Sequence, residues 1–591
     1  MKTRFFVASF VAMLICLYFF CIYVPVHKSY DTFVIYVANI IHRQQRLDAI
    51  KQAVTPNLYR LFKIVTLVAG GMLVAVACVA IYYAARLVSW LKAIWSYVRY
   101  PFEAMRITWK SIDAISKIIL IGALVLLAAQ SIWYMLYYPI THDEAYTISN
   151  FSMNGPLVAA TFYPYPNNHI LFSIVSYAFG LLPINYAVAY RLPSLLSMLL
   201  CCLALFKLFR HIVKDVIAAL AVLIFVSSIP VVLFSFMARG YSFLLLFSTG
   251  SLLCLINILT ADRKRYWTYF TLFSILGLYT VPSYMYAYGS MVLITFLYWL
   301  FNKRIFLFRN FFKSAVICTA VTLLLYLPVI VSSGGWGNFH QLLYLGYEKL
   351  GVVTWHDIIN FIRKTYDYSY YGKPVVAFLA VIIITLVSIL LFSKISKHAT
   401  TIKVKWLFYI SVFGCYIPLL AFFMQRTFIA QRIFLNLVVF VLLLLLLFIR
   451  LFVVERKQLL VMALCTVVAV CAYWIYGRKS AILAGYSYED RSAWAVSATM
   501  YKRSHAPVDT CYTFSFFFLP AMQLDYRMKQ KELFVYQQFP GSPSTKAFSF
   551  NDSYPWIIVD SATHIPMLEA SLRQRYDSVL VRNDVVLWKR K

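Results

Sequence analysis

Two adjacent carboxylates follow a long apolar run at His142-Asp143-Glu144, in a chain that holds only 22 Asp and Glu among 591 residues. An acid beside a membrane segment points to function by default. Asp143 and Glu144 have the residue types for general-base work or for holding a metal. Both also suit the first turn of a short helix capped by Thr141 or Asp143, where acids complement the helix dipole. Similar rare polar groups recur at Asn167, Asn168 and His169, at Arg239 and Tyr241, at Tyr279 and Tyr284, and at Gln425, Arg426, Gln431 and Arg432. The apolar runs between them hold almost no ionisable residue. Guanidinium groups bind oxyanions in a fork, so Arg239, Arg426 and Arg432 are candidate anion ligands, or side chains snorkelling to headgroups. His169 is a candidate metal ligand, or a packed imidazole.

The elements that must position these groups are membrane helices. Hydrophobic residues make up 62% of the chain and charged residues 13%, with a mean hydropathy of +0.75. That balance excludes a soluble globular protein and predicts a polytopic α-helical membrane protein. The net charge of +32 sits in short basic clusters between apolar runs. This is the positive-inside pattern, not a nucleic-acid footprint. Placing every cluster in the cytoplasm predicts about 13 spans. It puts 139–170, 332–374 and the tail from 477 on the outer face. Segment 170–182 is too short to cross and reads as an interfacial or partial helix. Most of the 11 cysteines lie in apolar runs and act as small hydrophobes. No Walker-A or GxGxxG pattern supports nucleotide chemistry.

Three regions emerge. Residues 1–116 carry two predicted spans, a helical-looking stretch near 42–51 and a basic connection. Residues 117–476 form the core. Its loop 332–374, with His340, Glu348, His356 and Asp357, reads as a lid over a site on the same face or as an interfacial cap. Residues 477–591 read as a small outer α/β domain, with a strand at 555–561, an amphipathic helix at 564–576 and a hairpin at 578–590. Polar groups gathered at one face, with almost no ionisable residue in the cores of the spans, favour an enzyme acting on a lipid-anchored substrate over a transporter.

Residues 139–210 resemble the first outer loop and following helices of GT-C glycosyltransferases, nearest to protein O-mannosyltransferases and ArnT-type aminoarabinose transferases. The resemblance rests on HDEAY (142–146), a Gly-Pro, an aromatic and Pro-rich NNH stretch and Arg-Leu-Pro-Ser (191–194). ARGY (238–241), YTVPSY (279–284) and QRTFIAQR (425–432) extend it across roughly 117–476. The Pro-Pro often seen in that family is Pro166-Asn167-Asn168-His169 here, which leaves donor and acceptor identity open.

The resemblance implies a GT-C bundle with a C-terminal α/β domain in the cytoplasmic membrane. It implies transfer of a sugar from a polyprenyl-phosphate donor to a protein, lipid or glycan acceptor on the outer face. Asp143 would be the general base and Glu144 would position the acceptor or a metal. His142, Asn167, Asn168, His169, Arg239, Tyr241, Tyr279, Arg426 and Arg432 would contact donor or acceptor. A divalent metal is a candidate cofactor, held by Asp143, Glu144, His169, His340 and His356. Membrane lipids are the surrounding partner, and nucleic acid is not one. The rival readings are a lipid-linked glycan flippase or transporter, a surface-polysaccharide polymerase or ligase, and a scaffold with a wall-binding domain.

Overall fold

The computed structural model describes most of the chain; the longer segments outside the description are 1–11, 41–55, 84–94, 344–349, 453–487, 538–553 and 561–571, with shorter stretches between. Glu348, the helical stretch near 42–51, the span expected before 476 and most of the helix expected at 564–576 lie outside the described residues. The chain divides into two compact units, Met1–Ile112 and Asp113–Lys591.

The first unit holds the helices Tyr30–Ile40 and Pro56–Tyr82. Val26, Phe33 and Tyr59 form its small buried cluster. Phe62–Val79 is long and apolar enough to cross a membrane.

The second unit is a helical bundle with a small sheet. Among the described residues of the whole chain, seven helices have the length and apolarity of a membrane span. The helices Asp215–Ser227 and Ile229–Phe236 make an eighth if joined, with a 69° bend at their break. Ser228 sits at that break in extended backbone, and Pro230 starts the second helix because its missing N–H is one that a helix start does not use. Lys264–Thr280 and Met285–Asn302 are also helices and are not among these seven. Ile170–Gly180 has 11 residues. At ~1.5 Å per residue it cannot cross a hydrocarbon core of about 30 Å.

The sequence explains how these helices pack. Along Ala114–Tyr137, Leu120, Ala123, Leu127, Gln130, Ser131 and Met135 are buried. Ile118, Ile121, Val125, Ile132 and Leu136 are exposed. Both sets are uncoloured by charge, as expected for a helix with one face in protein and one in lipid. Small residues let helices approach: a Cβ on Gly414 would lie 2.4 Å from the Phe440 ring. That contact sits between the helices Ile402–Gln425 and Leu437–Phe452.

The C-terminal domain is a five-stranded sheet of β1 (Val508–Thr513), β2 (Glu532–Gln537), β3 (Trp556–Asp560), β4 (Tyr576–Arg582) and β5 (Val585–Arg590), in the order β2-β1-β3-β5-β4. β1 runs parallel to β2 and β3, and β5 runs antiparallel to β3 and β4. β3 and the β4–β5 pair are the strand and hairpin expected from sequence. β1 and β2, joined through the helix Leu519–Met528, add to the expected strands. Ile557, Leu572, Tyr576 and Trp588 pack as its core.

The Gly414 contact yields a stability test. Gly414→Ala should lower the unfolding midpoint of the detergent-solubilised protein by an amount matching about 1–3 kcal/mol of overpacking, whereas Gly71→Ala, with open space at its Cβ, should not lower it.

Candidate functional site

The helix His142–Asn150 begins with a reciprocal cap. Thr141 Oγ1 accepts from the Glu144 N–H, and Glu144 Oε2 accepts from the Thr141 N–H at 3.0 Å. The capping reading of the acidic pair is thus right for Glu144. This residue has no exposed surface. Its two oxygens also receive Arg191 in a fork, Nε to Oε1 and Nη2 to Oε2, both at 2.8 Å. Oε1 accepts the Ala238 N–H at 2.7 Å as well. The carboxylate has no lone pair left for a substrate or a metal.

Arg191 lies on the Tyr186–Phe209 helix and is also fully buried. Its remaining donors go to the carbonyls of Met135, Tyr138 and Pro139 at 3.0–3.2 Å. These carbonyls end the Ala114–Tyr137 helix, where four oxygens lack intrahelical donors and the dipole favours a cation. One ion pair therefore caps the end of one helix and the start of the next. In the sequence Arg191 stands out only as part of the Arg-Leu-Pro-Ser motif at 191–194. The signal was a lone Arg inside a predicted span, which demands an acid nearby.

Asp143, one residue earlier, faces the other way. Its side chain is 29% exposed, with Oδ2 3.6 Å from Arg239 Nη2 and 3.4 Å from Arg432 Nη2. Burial pushes its pKa up, but the guanidinium charges of Arg239 and then Arg432, with His142, outweigh burial and hold it below the ordinary carboxylate value. The carboxylate is ionised, loosely paired and open to a ligand.

The turn carrying Arg239 is held from several sides. The Ala238 N–H goes to Glu144, the Gly240 N–H to His169 Nδ1 at 2.7 Å, and Ser194 Oγ donates to the carbonyl of Met237 at 2.5 Å. A Cβ on Gly240 would sit 2.7 Å from His169 Nδ1, so this approach needs glycine. Arg239 itself is 2% exposed and donates to Thr147 Oγ1 and to Asn167 Oδ1. Arg432 Nε donates to the Tyr241 hydroxyl at 3.0 Å. Asp143, Arg239, Arg432, Tyr241 and Asn167 thus meet at one place from four separate turns.

The other expected ligands are differently employed. Asn168 is buried and ties its own turn, donating to the carbonyls of Ala159 and Phe162 and accepting from Ser173. His169 is buried with Nδ1 as acceptor, and burial followed by the Arg239 and Arg432 charges holds its pKa well below 6.5. With Nδ1 facing an N–H, its proton belongs on Nε2, which makes that nitrogen a donor and not a metal ligand. Tyr279 packs edge-on against Tyr326 in an apolar cluster. Arg426 is exposed at a left-handed backbone position, φ 50°, directly after the Ile402–Gln425 helix. Its carbonyl accepts from Leu350 at 2.8 Å.

In the outer loop, Asp357 is spent on a cap with Thr354, accepting from its N–H at 2.9 Å and its hydroxyl at 2.7 Å, and that hydroxyl pairing holds its pKa down. His340 and His356 are exposed. Phe361 stacks on Phe422 at 4.4 Å and packs with Ile429 and Phe434, so the loop sits on the turn that carries Arg432. Among the described residues, no three His, Cys, Asp or Glu side chains converge as metal ligands. The expected metal set of Asp143, Glu144, His169, His340 and His356 does not fit one ion, since Glu144 and His169 are committed elsewhere.

The C-terminal domain grips the helix that bears Asp143. Trp494 Nε1 donates to the Ile140 carbonyl, and Arg527 donates to Ser149 O and Asn154 Oδ1, each at 2.9 Å.

No protein-family model matches the chain, and no curated protein matches it in sequence. Among solved structures, the oligosaccharyltransferase of Archaeoglobus fulgidus in complex with zinc and sulfate is similar at 14% identity and a TM-score of 0.40, over 76% of this chain and 69% of that one. A superposition of that quality fixes neither fold nor activity.

The two neighbouring acids should separate by experiment. Glu144→Gln leaves Arg191 buried against a neutral group and should destabilise the solubilised protein by roughly 3–5 kcal/mol in thermal or denaturant unfolding. Asp143→Asn, at a part-exposed and loosely paired position, should cost about 1 kcal/mol or less.

Proposed function

We propose that the chain is an integral-membrane glycosyltransferase of the GT-C type. It takes a sugar from a polyprenyl-phosphate donor and passes it to an acceptor hydroxyl at the outer face of the cytoplasmic membrane. The observation that carries this reading is the pairing of one part-exposed, ionised carboxylate, Asp143, with two converging guanidinium groups, Arg239 and Arg432.

The chemistry needs an acid–base group and a cation at adjoining positions. The acceptor oxygen attacks the anomeric carbon and forms the new glycosidic bond. The bond from that carbon to the phosphate oxygen breaks, and the phosphate leaves with the electron pair. The hydroxyl proton passes to Asp143. Arg432 is the group placed to meet the phosphate, because it is 36% exposed and only Arg239 of the pair is sealed in. A phosphate that draws Arg432 away also removes one counter-charge from Asp143 and brings a second anion close. Both changes raise the Asp143 pKa, so donor binding turns a weak base into a stronger one. Arg239 stays with Asn167 and Thr147 and keeps the carboxylate aligned. A lipid-borne donor also suits a site at the ends of apolar helices. The grip of Trp494 and Arg527 on the Asp143 helix makes the C-terminal domain a support for the same site.

The test is transfer from radiolabelled polyprenyl-phosphate sugars by the protein in proteoliposomes. Asp143→Asn should lower turnover by roughly 10²–10⁴-fold with donor binding retained. Unchanged transfer would remove Asp143 as base. Lipid translocation without a new glycosidic bond would instead favour the flippase. The depressed pKa also predicts a pH dependence. A base with a lowered pKa remains ionised as pH falls through the ordinary carboxylate range. The acid limb of kcat/KM should therefore lie below 3.8, the ordinary Asp value, and Arg432→Gln should move it upward.

A further inference from the structure

The far end of the Tyr186–Phe209 helix carries a second cluster of charge. Arg191 and Lys207 are separated by ~24 Å along this helix, at 1.5 Å per residue. Lys207 lies in its last turn and is half-buried. Arg210 and His211 follow in the turn after it. Lys403 lies in the first turn of Ile402–Gln425, and Arg450 in the last turn of Leu437–Phe452.

Lys403, Lys207 and Arg210 lie close enough to His211 for their charges to act on it. Arg450 Nη1 donates to the carbonyls of His211 and Ile212 at 3.3 and 2.9 Å, which fastens the turn to a third helix. Burial, then the charges of Lys403, Lys207 and Arg210, push the His211 pKa down to about 4. Its imidazole is therefore neutral. Its Nε2 is sealed from solvent and has no hydrogen-bond partner. Asp215 is the acid beside them, and it is taken by Arg210 Nε at 2.8 Å. Among the described residues, Lys207 and Lys403 have no ion pair or hydrogen bond.

Half-buried cations without a counter-ion, around an unmet imidazole nitrogen, are short of one thing: an anion with several acceptor oxygens. Desolvated ammonium groups are costly alone and favourable beside such an anion. A carboxylate offers two oxygens in one plane. A phosphoryl group offers oxygens in three dimensions, matching donors that arrive from three helices and a turn. The cluster also stands where a membrane span ends, at headgroup depth.

We propose that Lys207, His211 and Lys403, framed by Arg210 and Arg450, form a seat for a phosphoryl anion at the end of the bundle opposite Asp143, supplied by an anionic lipid headgroup or by free phosphate. Lys207 and Lys403 bring charge, and His211 Nε2–H brings the directed hydrogen bond once the anion displaces the side chains that cover it. Occupancy ties the Tyr186–Phe209, Ile402–Gln425 and Leu437–Phe452 helices together and stabilises the bundle. It does not depend on the glycosyltransferase reading.

The test uses the full chain in phosphatidylcholine nanodiscs, with and without phosphatidylglycerol, and reads the thermal unfolding midpoint. A parallel arm adds inorganic phosphate to discs of phosphatidylcholine alone. The seat predicts a higher midpoint with one of the two phosphate sources, and the arm that responds identifies which. Lys207→Met/Lys403→Met should lose that rise, and His211→Phe should lose most of it. Arg309→Met/Lys313→Met removes the same charge from another basic stretch and should keep it. No rise in either arm for the wild type, or equal loss in the Arg309/Lys313 control, would overturn the proposal. A double variant that does not fold is replaced by His211→Phe, whose charge is unchanged at neutral pH and whose retained rise would equally overturn it.

Discussion

A buried ion pair usually contributes little net stability, because two charges must leave water. Glu144 and Arg191 meet the demanding condition under which one is tolerated: every donor of the guanidinium and both oxygens of the carboxylate are used. The pair is also placed between the carbonyl end of one helix and the amide end of the next. Both helix dipoles therefore favour the charges that sit there. The sharp return of the chain at 138–141 depends on it, and so does the turn at 237–240, which is hydrogen-bonded to the same Glu144 oxygen as Arg191.

That arrangement explains how two adjacent acids come to have opposite fates. On a helix, neighbouring residues point about 100° apart, so one side chain can enter the protein while the next faces outward. Glu144 enters and fixes the frame. Asp143 faces the opening, where it meets Arg239 and Arg432. The frame is rigid where the chemistry is not: Arg239 is sealed and donates to Thr147 and Asn167, whereas Arg432 is half-open. A site that must release one cation to a phosphate while keeping another aligned needs this asymmetry.

Much of this was visible in the sequence. Apolar run lengths pointed to span-length helices, seven of them among the described residues where about 13 spans are expected, and to the short 170–180 helix; the apolar run at 555–561 pointed to β3, and 578–590 to the terminal hairpin. The scarcity of acids drew attention to Asp143 and Glu144. What sequence could not supply was direction. Spacing alone does not say which of two adjacent acids is buried, nor that Asn168 and His169 turn inward to brace loops while Asn167 reaches Arg239. Pairings across 47 residues, Glu144 with Arg191, or across the span from Ser149 to Arg527, depend on tertiary packing. β1 and β2 are not legible in the sequence because their residues mix polar and apolar types without a clean period. Arg191 carries a signal, a lone base in an apolar run, but the sequence does not say which acid it meets.

The central claim is that one sealed pair holds the framework while its neighbour is left free for chemistry. A double-mutant cycle on unfolding free energy, built from Glu144→Gln, Arg191→Met and their combination, tests it most directly. The account predicts strong coupling, near the ~3 kcal/mol upper end for contacting residues, with the double variant less damaged than the sum of the singles. Losses that simply add, to within about 0.5 kcal/mol, would show that the two side chains act independently and would contradict it.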